Sequence, residues 1–214
     1  KLISEGDTVF ELGAHIGYIS VYFSQLAGTS GKVFVFEPGV NNLPYVRENI
    51  ANSKIKNVQL VEKAVSDNNG TATFYLENIT GQSNSLVKDY RVTKKIHSKT
   101  FVEMKKNEVQ VETIRIDDFV QMNNISRIDF IKIDIEGAEY LAIKGMPNVL
   151  ATLKPTMMIE VTENHEALFN LLKDNGYFFI DEFSNKVEEK KAFYGNLFCF
   201  HISKQEMANR LAEK

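Results

Sequence analysis

Cysteine is nearly absent from this chain of 214 residues, because Cys199 is the only one. A single thiol excludes a disulfide within the chain and a metal site built from cysteines. Cys199 lies in the apolar run NLFCFHI, which predicts a buried thiol with a structural role. The lack of disulfides favours a reducing compartment, and we expect a cytoplasmic protein. This expectation is provisional, since the chain begins with Lys1 and the native N-terminus, with any targeting segment, is expected to be missing.

Long apolar runs and an excess of charge of either sign are also lacking. No run approaches the roughly 20 residues that a membrane-spanning helix needs, so we expect no transmembrane segment. The formal net charge is −3, which provides no overall basic surface for nucleic acid. We therefore expect no nucleic acid partner, and the sequence indicates nothing about the oligomeric state. The length and the 43% hydrophobic content predict one globular domain over residues 1–214.

What the chain does contain is a regular alternation of strand-like runs and longer helical patterns. DTVFELG at 7–13 is followed by a helical pattern at 16–28 and by KVFVFEP at 32–38. Such repeats predict a parallel sheet covered by helices on both faces. The runs at 177–183 and 196–202 have no helical pattern between them, which predicts an antiparallel pair. The other predicted core strands lie at 58–65, 128–135 and 156–162, and a helix is predicted from Ala138 to Leu153.

The predicted fold is therefore α/β. It is a single-domain, three-layer αβα sandwich with about seven core strands, mostly parallel, with one antiparallel strand near the C-terminal edge.

The region 79–108 departs from this regularity, because its polar and charged residues show no sustained period. A connection of this length inside a compact domain is usually functional or mobile. One interpretation is a solvated surface flap, and the other is a substrate lid that favours an anionic substrate. The lid hypothesis depends on seven basic residues: Lys88, Arg91, Lys94, Lys95, Lys99, Lys105 and Lys106.

The segment ELGAHIG, between the first predicted strand and helix, is typical of a nucleotide-binding loop. Gly13 and Gly17 allow a tight turn and a close approach of the backbone to a ligand. Glu37 ends the second strand, where an acidic residue can accept hydrogen bonds from both ribose hydroxyls. The spacing G-x-x-x-G is not the dinucleotide pattern G-x-G-x-x-G, and Glu11 would repel a pyrophosphate. S-adenosylmethionine (SAM) has no phosphate, and Glu11 could bind its ammonium group. A glycine turn that only lets strand and helix pack is the alternative.

The stretch IKIDIEGAE at 131–139 alternates isoleucines with charged residues. A central strand of a parallel sheet is covered on both faces, so burial of Lys132, Asp134 and Glu136 would be costly unless they paired or faced a cleft. Ligands of open α/β sheets bind beyond the carboxyl ends of the strands, where Asp134 and Glu136 fall. An internal ion-pair network without a chemical role is the alternative.

Six segments together carry a family resemblance: VFELGAHIGYISVYFS, VFVFEP, VEKAVSDNNG, SNSL, VETIRIDDF and IDFIKIDIEGAEYLAIKGM. In this order and spacing they resemble the FkbM family of SAM-dependent methyltransferases, over about Asp7 to Phe200. The resemblance implies the Rossmann-like fold of class I methyltransferases and SAM as the cofactor. It also implies that the segment from Ala64 to Asp67 borders the adenine.

One residue departs from the family pattern. His15 lies where the family most often has Asn, and its ring nitrogens can replace some hydrogen bonds of an Asn, so we expect SAM binding to survive. The predicted cofactor-binding residues are then Glu11, Gly13, His15, Gly17, Glu37, Ala64, Asp67 and Asp134.

The implied chemistry is an in-line displacement, in which the enzyme aligns an acceptor atom with the methyl group and excludes water. An alcohol is a poor nucleophile, so a general base within hydrogen-bond reach would help. Asp134 is the first candidate, followed by Glu136, by Glu160 at the end of TMMIEV, and by His165 in the loop after it. Close carboxylates could bind Mg²⁺, but the resemblance does not require a metal ion and we predict none.

The sequence therefore predicts an enzyme that methylates a hydroxyl of a sugar, a glycolipid or a secondary metabolite, with the acceptor class implied by the resemblance alone. Two alternatives stay open. A dinucleotide-dependent oxidoreductase would share the fold and Glu37. A non-catalytic SAM-fold binding protein would keep the loop and lack a productive acceptor site.

Overall fold

Strands and helices alternate along the chain, as predicted. The computed structural model describes residues 2–53, 56–78, 80–88, 93–96, 100–103, 105–188 and 193–212. The strands are β1 (Thr8–Leu12), β2 (Lys32–Phe36), β3 (Val58–Val61), β4 (Ala64–Val65), β5 (Gly70–Glu77), β6 (Thr93–Ile96), β7 (Thr100–Glu103), β8 (Lys106–Ile114), β9 (Phe130–Ile133), β10 (Thr156–Val161), β11 (Tyr177–Asp181) and β12 (Gly195–His201). The helices are α1 (Tyr18–Ala27), α2 (Leu43–Asn52), α3 (Ile116–Met122), α4 (Glu139–Lys144), α5 (His165–Asp174) and α6 (Gln205–Ala212), with a π-helix at Val149–Leu153 and a 3-10 turn at Ile202–Lys204.

Seven strands form the main sheet, in the order β11-β12-β10-β9-β1-β2-β3. From β10 to β3 neighbouring strands are parallel, and β12 is antiparallel to both of its neighbours. The predicted fold class is confirmed, including the single antiparallel strand next to the C-terminal edge. Because β1 and β9 are neighbours at the middle of the sheet, the loops that follow them meet at its carboxyl edge.

Successive side chains of the strands point to opposite faces and pack against different helices. Val9 packs with Phe23 of α1 and Val46 of α2 on one face of the sheet. Phe10, the next residue, packs with Phe119 of α3 on the other face. Helices therefore cover the sheet on both sides, which gives the predicted three layers.

The predicted strand 58–65 is wrong as one strand, because it divides between two sheets. β3 ends at Val61 in the main sheet, whereas β4 pairs with β8 in a second sheet of order β4-β8-β5. Both pieces are rich in β-forming residues, so the sequence pattern does not show the break. The backbone partners of Ala64 and Val65 are Thr113 and Ile114, which lie far away in sequence.

The predicted helix 138–153 is also interrupted. α4 ends before Gly145, where an added Cβ would lie 2.2 Å from a neighbouring backbone carbonyl oxygen. The second part begins where the Asp117 carboxylate accepts hydrogen bonds from the backbone N–H groups of Asn148 and Val149, both at 3.0 Å. Two separate helical pieces thus replace the single helix.

The described residues of the region 79–108 include β-structure before the start of β8. β6 and β7 form an antiparallel hairpin. The backbones of Tyr75 and Ser85 exchange hydrogen bonds of 2.8 and 3.1 Å, which hold residues 80–88 against β5. The predicted basic lid lies for the most part outside the described residues, since the described basic side chains are those of Lys88, Lys105 and Lys106.

The sequence pattern does not predict α3 and α6, which are seven and eight residues long. Helices this short give too little periodicity for a pattern to be recognised. Among the described helices, none has both the length and the apolar character needed to cross a membrane.

The packing of α3 on the sheet predicts a large stability loss for Phe119→Ala. The ring of Phe119 is 4% exposed, and its centroid lies 5.0 to 5.9 Å from those of Phe10, Phe34 and Phe36. We expect the free energy of unfolding to fall by about 3–5 kcal/mol in urea denaturation. The control is Met122→Ala on the same helix, because Met122 is 63% exposed. Equal losses for the two variants would contradict this account of α3.

Candidate active site

A cleft opens at the carboxyl edge of the main sheet, where β1, β2, β9 and β10 end. This is the position at which open α/β sheets bind their ligands. Its apolar lining includes Phe36, Val65, Phe74, Ile135 and Leu86, and its acidic lining consists of Glu37, Asp134, Glu136 and Glu160.

Gly13 brings the first loop against the end of β9. The backbone N–H of Gly13 donates to the carbonyl oxygen of Phe36 at 3.0 Å. An added Cβ at Gly13 would lie 1.9 Å from the carbonyl oxygen of Asp134, and the φ of Gly13 is +87°. Only glycine fits at this position. Because Gly13 has no side chain, its backbone is exposed to the cleft.

Glu37 lies in the cleft wall and is 4% exposed. Its Oε2 accepts a hydrogen bond from the backbone N–H of His15 at 2.8 Å. Its Oε1 accepts from the N–H of Gly39 at 2.9 Å and from Asn42 Nδ2 at 3.2 Å. Burial raises the pKa of Glu37 to about 7. A carboxylate has about four lone-pair sites, so there is capacity for one further donor.

His15 is fixed by its ring as well as by its backbone. Nε2 lies 2.9 Å from the carbonyl oxygen of Thr80. A carbonyl oxygen can only accept, so the ring donates through Nε2 in this arrangement. His15 therefore connects the first loop to the segment that follows β5.

Glu11 is placed beneath the cleft and does not line it. Its side chain is completely buried. One carboxyl oxygen accepts a hydrogen bond from Ser20 Oγ, and Oε1 has no hydrogen-bond partner among the described residues. Burial raises the pKa of Glu11 to about 7, although the positive charge of Lys132 opposes this shift.

Lys132 connects Glu11 to the cleft. The register of β1 and β9 places it beside Glu11. Its Nζ lies 2.9 Å from Asp134 Oδ2, with side chains 9% and 33% exposed. A row of acid, base and acid thus leads from the buried Glu11 to Asp134, which lines the cleft.

The turn after β9 has an unusual backbone. Glu136 and Gly137 both have positive φ, at +56° and +98°. The N–H of Gly137 donates to Glu139 Oε1 at 2.9 Å, and the hydroxyl of Thr162 donates to Glu139 Oε2 at 3.2 Å. Burial raises the pKa of Glu139. Glu139 is not among the predicted site residues, although an acidic residue in the first turn of a predicted helix is a signal of such capping.

Three carboxylates meet at one end of the cleft. Ligand oxygens of Asp134, Glu136 and Glu160 lie within 4.8 Å of one another. Such a group could hold a cation, and it could also accept a proton from a bound hydroxyl.

Three other predicted residues lie away from the cleft surface. Gly17 directly precedes α1, has a φ of +78° and would contact Val46 if it carried a Cβ. The Asp67 carboxylate binds Lys144 Nζ at 2.7 Å, which lowers the pKa of Asp67. His165 begins α5, and its ring centroid is 6.0 Å from that of Tyr194.

The cleft as a whole suits an adenosine ligand that carries positive charge. The glycine at Gly13 leaves room for close approach, and Ala64 and Val65 provide an apolar wall. Glu37 can accept from a ribose hydroxyl at one end, and the carboxylates around Asp134 are complementary to a cation at the other. The donor set therefore fits SAM.

The chain is similar to methyltransferases in sequence. The family described as Methyltransferase FkbM domain matches residues 11–179. Methyltransferase 1 of Beauveria bassiana is 22% identical over 169 residues, which cover 73% of this chain and 65% of that protein. The 2-O-methyltransferase NoeI of Sinorhizobium fredii is 30% identical over 148 residues, which cover 68% of this chain and 60% of that protein. The chain thus spans a little under two thirds of the length of these relatives.

The fold is similar to that of a solved structure with bound cofactor. Fibrillarin of Aeropyrum pernix, solved with natively bound SAM, matches with a TM-score of 0.51 over 94% of this chain and 69% of that chain. The two sequences are 11% identical, so this likeness concerns the fold alone.

The close packing of Gly13 predicts that Gly13→Ala will weaken cofactor binding by more than about tenfold, or about 1.4 kcal/mol. The added methyl group must displace the Asp134 carbonyl and with it the cleft floor. Calorimetric titration with S-adenosylhomocysteine measures the effect. Gly6→Ala is the matched control, because Gly6 has nearly the same φ, +86°, but its Cβ would lie 3.6 Å from the nearest atom. That variant should lose about 1–2 kcal/mol of stability and keep its affinity. Similar affinities for both variants would contradict the prediction.

Proposed function

The chain belongs to the FkbM family of methyltransferases and carries that family's SAM-dependent domain, and from this premise we propose that it methylates a hydroxyl of a sugar, a glycolipid or a secondary metabolite. The proposal rests on the cluster of three carboxylates, those of Asp134, Glu136 and Glu160, at one end of the cleft. A relative named as a 2-O-methyltransferase supports an oxygen acceptor.

The cofactor would be held by residues along the cleft. Glu37 would accept a hydrogen bond from one ribose hydroxyl. A second hydroxyl would have to displace the longest hydrogen bond that Glu37 now accepts, from Asn42 at 3.2 Å. Ala64 and Val65 would border the adenine, and Asp67 would fix the end of that segment through Lys144. SAM, when bound, supplies a methyl group on a positively charged sulfur. The proposed contact of Glu11 with the ammonium group becomes an indirect one, through Lys132 and Asp134.

Asp134 is the proposed general base. A carboxylate can take the proton of an acceptor hydroxyl if it lies within hydrogen-bond reach. Glu136 and Glu160 line the same end of the cleft and are the next candidates. His165 does not line the cleft, which favours the carboxylates over it.

We propose that transfer needs no metal ion. The ammonium group of Lys132 already engages one carboxylate oxygen of Asp134, at 2.9 Å, which leaves fewer oxygen ligands for a divalent metal ion. We also propose that the acceptor is a neutral molecule and not a nucleic acid, because the three carboxylates at one end of the cleft would repel phosphate groups.

The direct test is an assay with methyl-labelled SAM and a panel of sugars, glycolipids, phenolic metabolites and RNA, with and without EDTA. We expect a label on an oxygen atom and no effect of EDTA. Asp134→Asn should lower turnover far more than SAM affinity, and Asp174→Asn, at the exposed end of α5, serves as the control.

Several outcomes would contradict the proposal. Methylation of nitrogen, carbon or RNA alone would exclude the proposed acceptor. Loss of transfer in EDTA, restored by Mg²⁺, would exclude a metal-free reaction. Cofactor binding without transfer to any class would favour the non-catalytic alternative. Equal losses of turnover and affinity in Asp134→Asn would make Asp134 a cofactor ligand.

The raised pKa of Glu37, about 7, predicts that cofactor affinity rises with pH. A ribose hydroxyl donates best to the ionised carboxylate, and Glu37 must lose its proton before it can accept this bond. Affinity for S-adenosylhomocysteine should therefore rise about tenfold from pH 6 to pH 8. Glu37→Gln should bind more weakly and without this rise. Glu11→Gln is the matched control, since Glu11 also has a pKa of about 7 but does not line the cleft. If Glu11→Gln removed the rise and Glu37→Gln retained it, the assignment would be wrong.

A further inference from the structure

Residues 80–86, which we call the strap, form one wall of the cleft. They include the segment SNSL, to which the proposed reaction assigns no role. Ser83, Asn84 and Ser85 are 2%, 7% and 0% exposed. Burial of polar side chains is costly unless they are hydrogen-bonded. The partners of the strap therefore indicate its function.

The first part of the strap is bound to the two loops proposed to hold the cofactor. The ring of His15 donates to its first residue, as described above. Asn42 Nδ2, which also binds the ribose-site carboxylate, donates to the carbonyl oxygen of Gly81 at 3.1 Å. Asn84 Nδ2 donates to Asn41 Oδ1 at 2.8 Å. These bonds fix the strap relative to the cofactor end of the cleft.

The last part of the strap reaches the acidic end of the cleft through Ser85. Its Oγ donates to the carbonyl oxygen of Glu136 at 2.6 Å and accepts from the N–H of Val87 at 2.8 Å. The N–H of the same peptide group, on Gly137, donates to Glu139 Oε1 at 2.9 Å. One peptide plane is thus held at its oxygen by a donor and at its nitrogen by an acceptor.

This arrangement fixes the direction of the peptide. A flip would turn the carbonyl oxygen towards the Glu139 carboxylate, where two acceptors would repel each other. Glu136 has a φ of +56°, a conformation that residues other than glycine rarely adopt. The turn therefore keeps its shape because neighbouring groups hold it.

We propose that Ser85 is a positioning residue for methyl transfer: its hydroxyl holds the peptide between Glu136 and Gly137, and so the turn that presents the carboxylates of Asp134 and Glu136 to the acceptor. This inference rests on the proposed function and adds a residue that neither contacts the acceptor nor takes a proton.

The test compares Ser85→Ala, Ser85→Cys and Ser85→Thr. Loss of the strong donor in the Ala and Cys variants should lower kcat by about 10- to 100-fold, as expected for a misplaced catalytic group. Affinity for S-adenosylhomocysteine should change less than about twofold, because the bonds of Asn42 and Asn84 remain. Ser85→Thr keeps the hydroxyl and should retain most of kcat. Hydrogen exchange at the amide of Gly137 should be faster in Ser85→Ala than in the unmodified protein.

Ser24→Ala is the matched control. Ser24 is also a buried serine, 3% exposed, and it donates to Asn57 Oδ1 at the opposite end of the sheet. It should retain kcat and the slow exchange of Gly137. Equal changes in kcat for Ser24→Ala and Ser85→Ala, or a loss confined to cofactor affinity, would overturn the proposal.

The failure of this inference can be told from the failure of the proposed function. If the unmodified protein methylates no hydroxyl, the proposed function is wrong, and exchange at Gly137 still tests the role of Ser85. Faster exchange in Ser85→Ala than in Ser24→Ala would support the hold on the peptide, and equal exchange would exclude it. If Ser85 contributes only to general stability, the Cys variant should recover kcat as well as the Thr variant does, which would also overturn the proposal.

Discussion

The ion pair between Lys132 and Asp134 is the interaction on which the geometry of the cleft depends. Lys132 lies within the central strands and is 7% exposed, and an unpaired ammonium group in that place would be strongly destabilising. Asp134 at 2.9 Å and Glu11 on the neighbouring strand compensate its charge. Because side chains alternate along β9, this pairing commits the charged residues to one face and leaves Ile131 and Ile133 to the core on the other. The alternation of side chains along β9 thus allows the sheet to pack and also places acidic groups at one end of the cleft.

The parts of the fold that the sequence could predict are those with a strong local period. The strand order along the chain, the antiparallel strand near the C-terminal edge and the position of Asp134 and Glu136 beyond β9 follow from alternation and from the ends of helical patterns. The close approach at Gly13 was likewise predictable, because glycines at a strand-to-helix turn indicate a backbone that passes close to a neighbouring group or a ligand. The family resemblance, confirmed over residues 11–179, supplied the cofactor that these patterns left open.

The parts that the sequence could not predict depend on contacts between distant residues. The break between β3 and β4 follows from pairing with β8, and the interrupted helix after α4 follows from the carboxylate of Asp117. The burial of Glu11 beneath the cleft depends on Ser20 of α1, one turn into a helix whose orientation no local pattern specifies. The strap is the clearest example, because residues without any period become one wall of the site through hydrogen bonds to three separate loops, those of His15, Asn42 and Glu136.

The balance of charge in the cleft would distinguish the two forms of the cofactor. Asp134, Glu136 and Glu160 surround one end with three carboxylates, and Lys132 is the basic partner of Asp134. A sulfonium is therefore favoured by the local field, and a neutral thioether gains nothing from it. Loss of the methyl group would remove the attraction of these carboxylates for the sulfur, while the contacts proposed for the ammonium group and for the ribose at Glu37 would be unchanged. The carboxylates proposed to accept a proton would therefore also hold the methyl donor more tightly than its product, which would favour release after transfer.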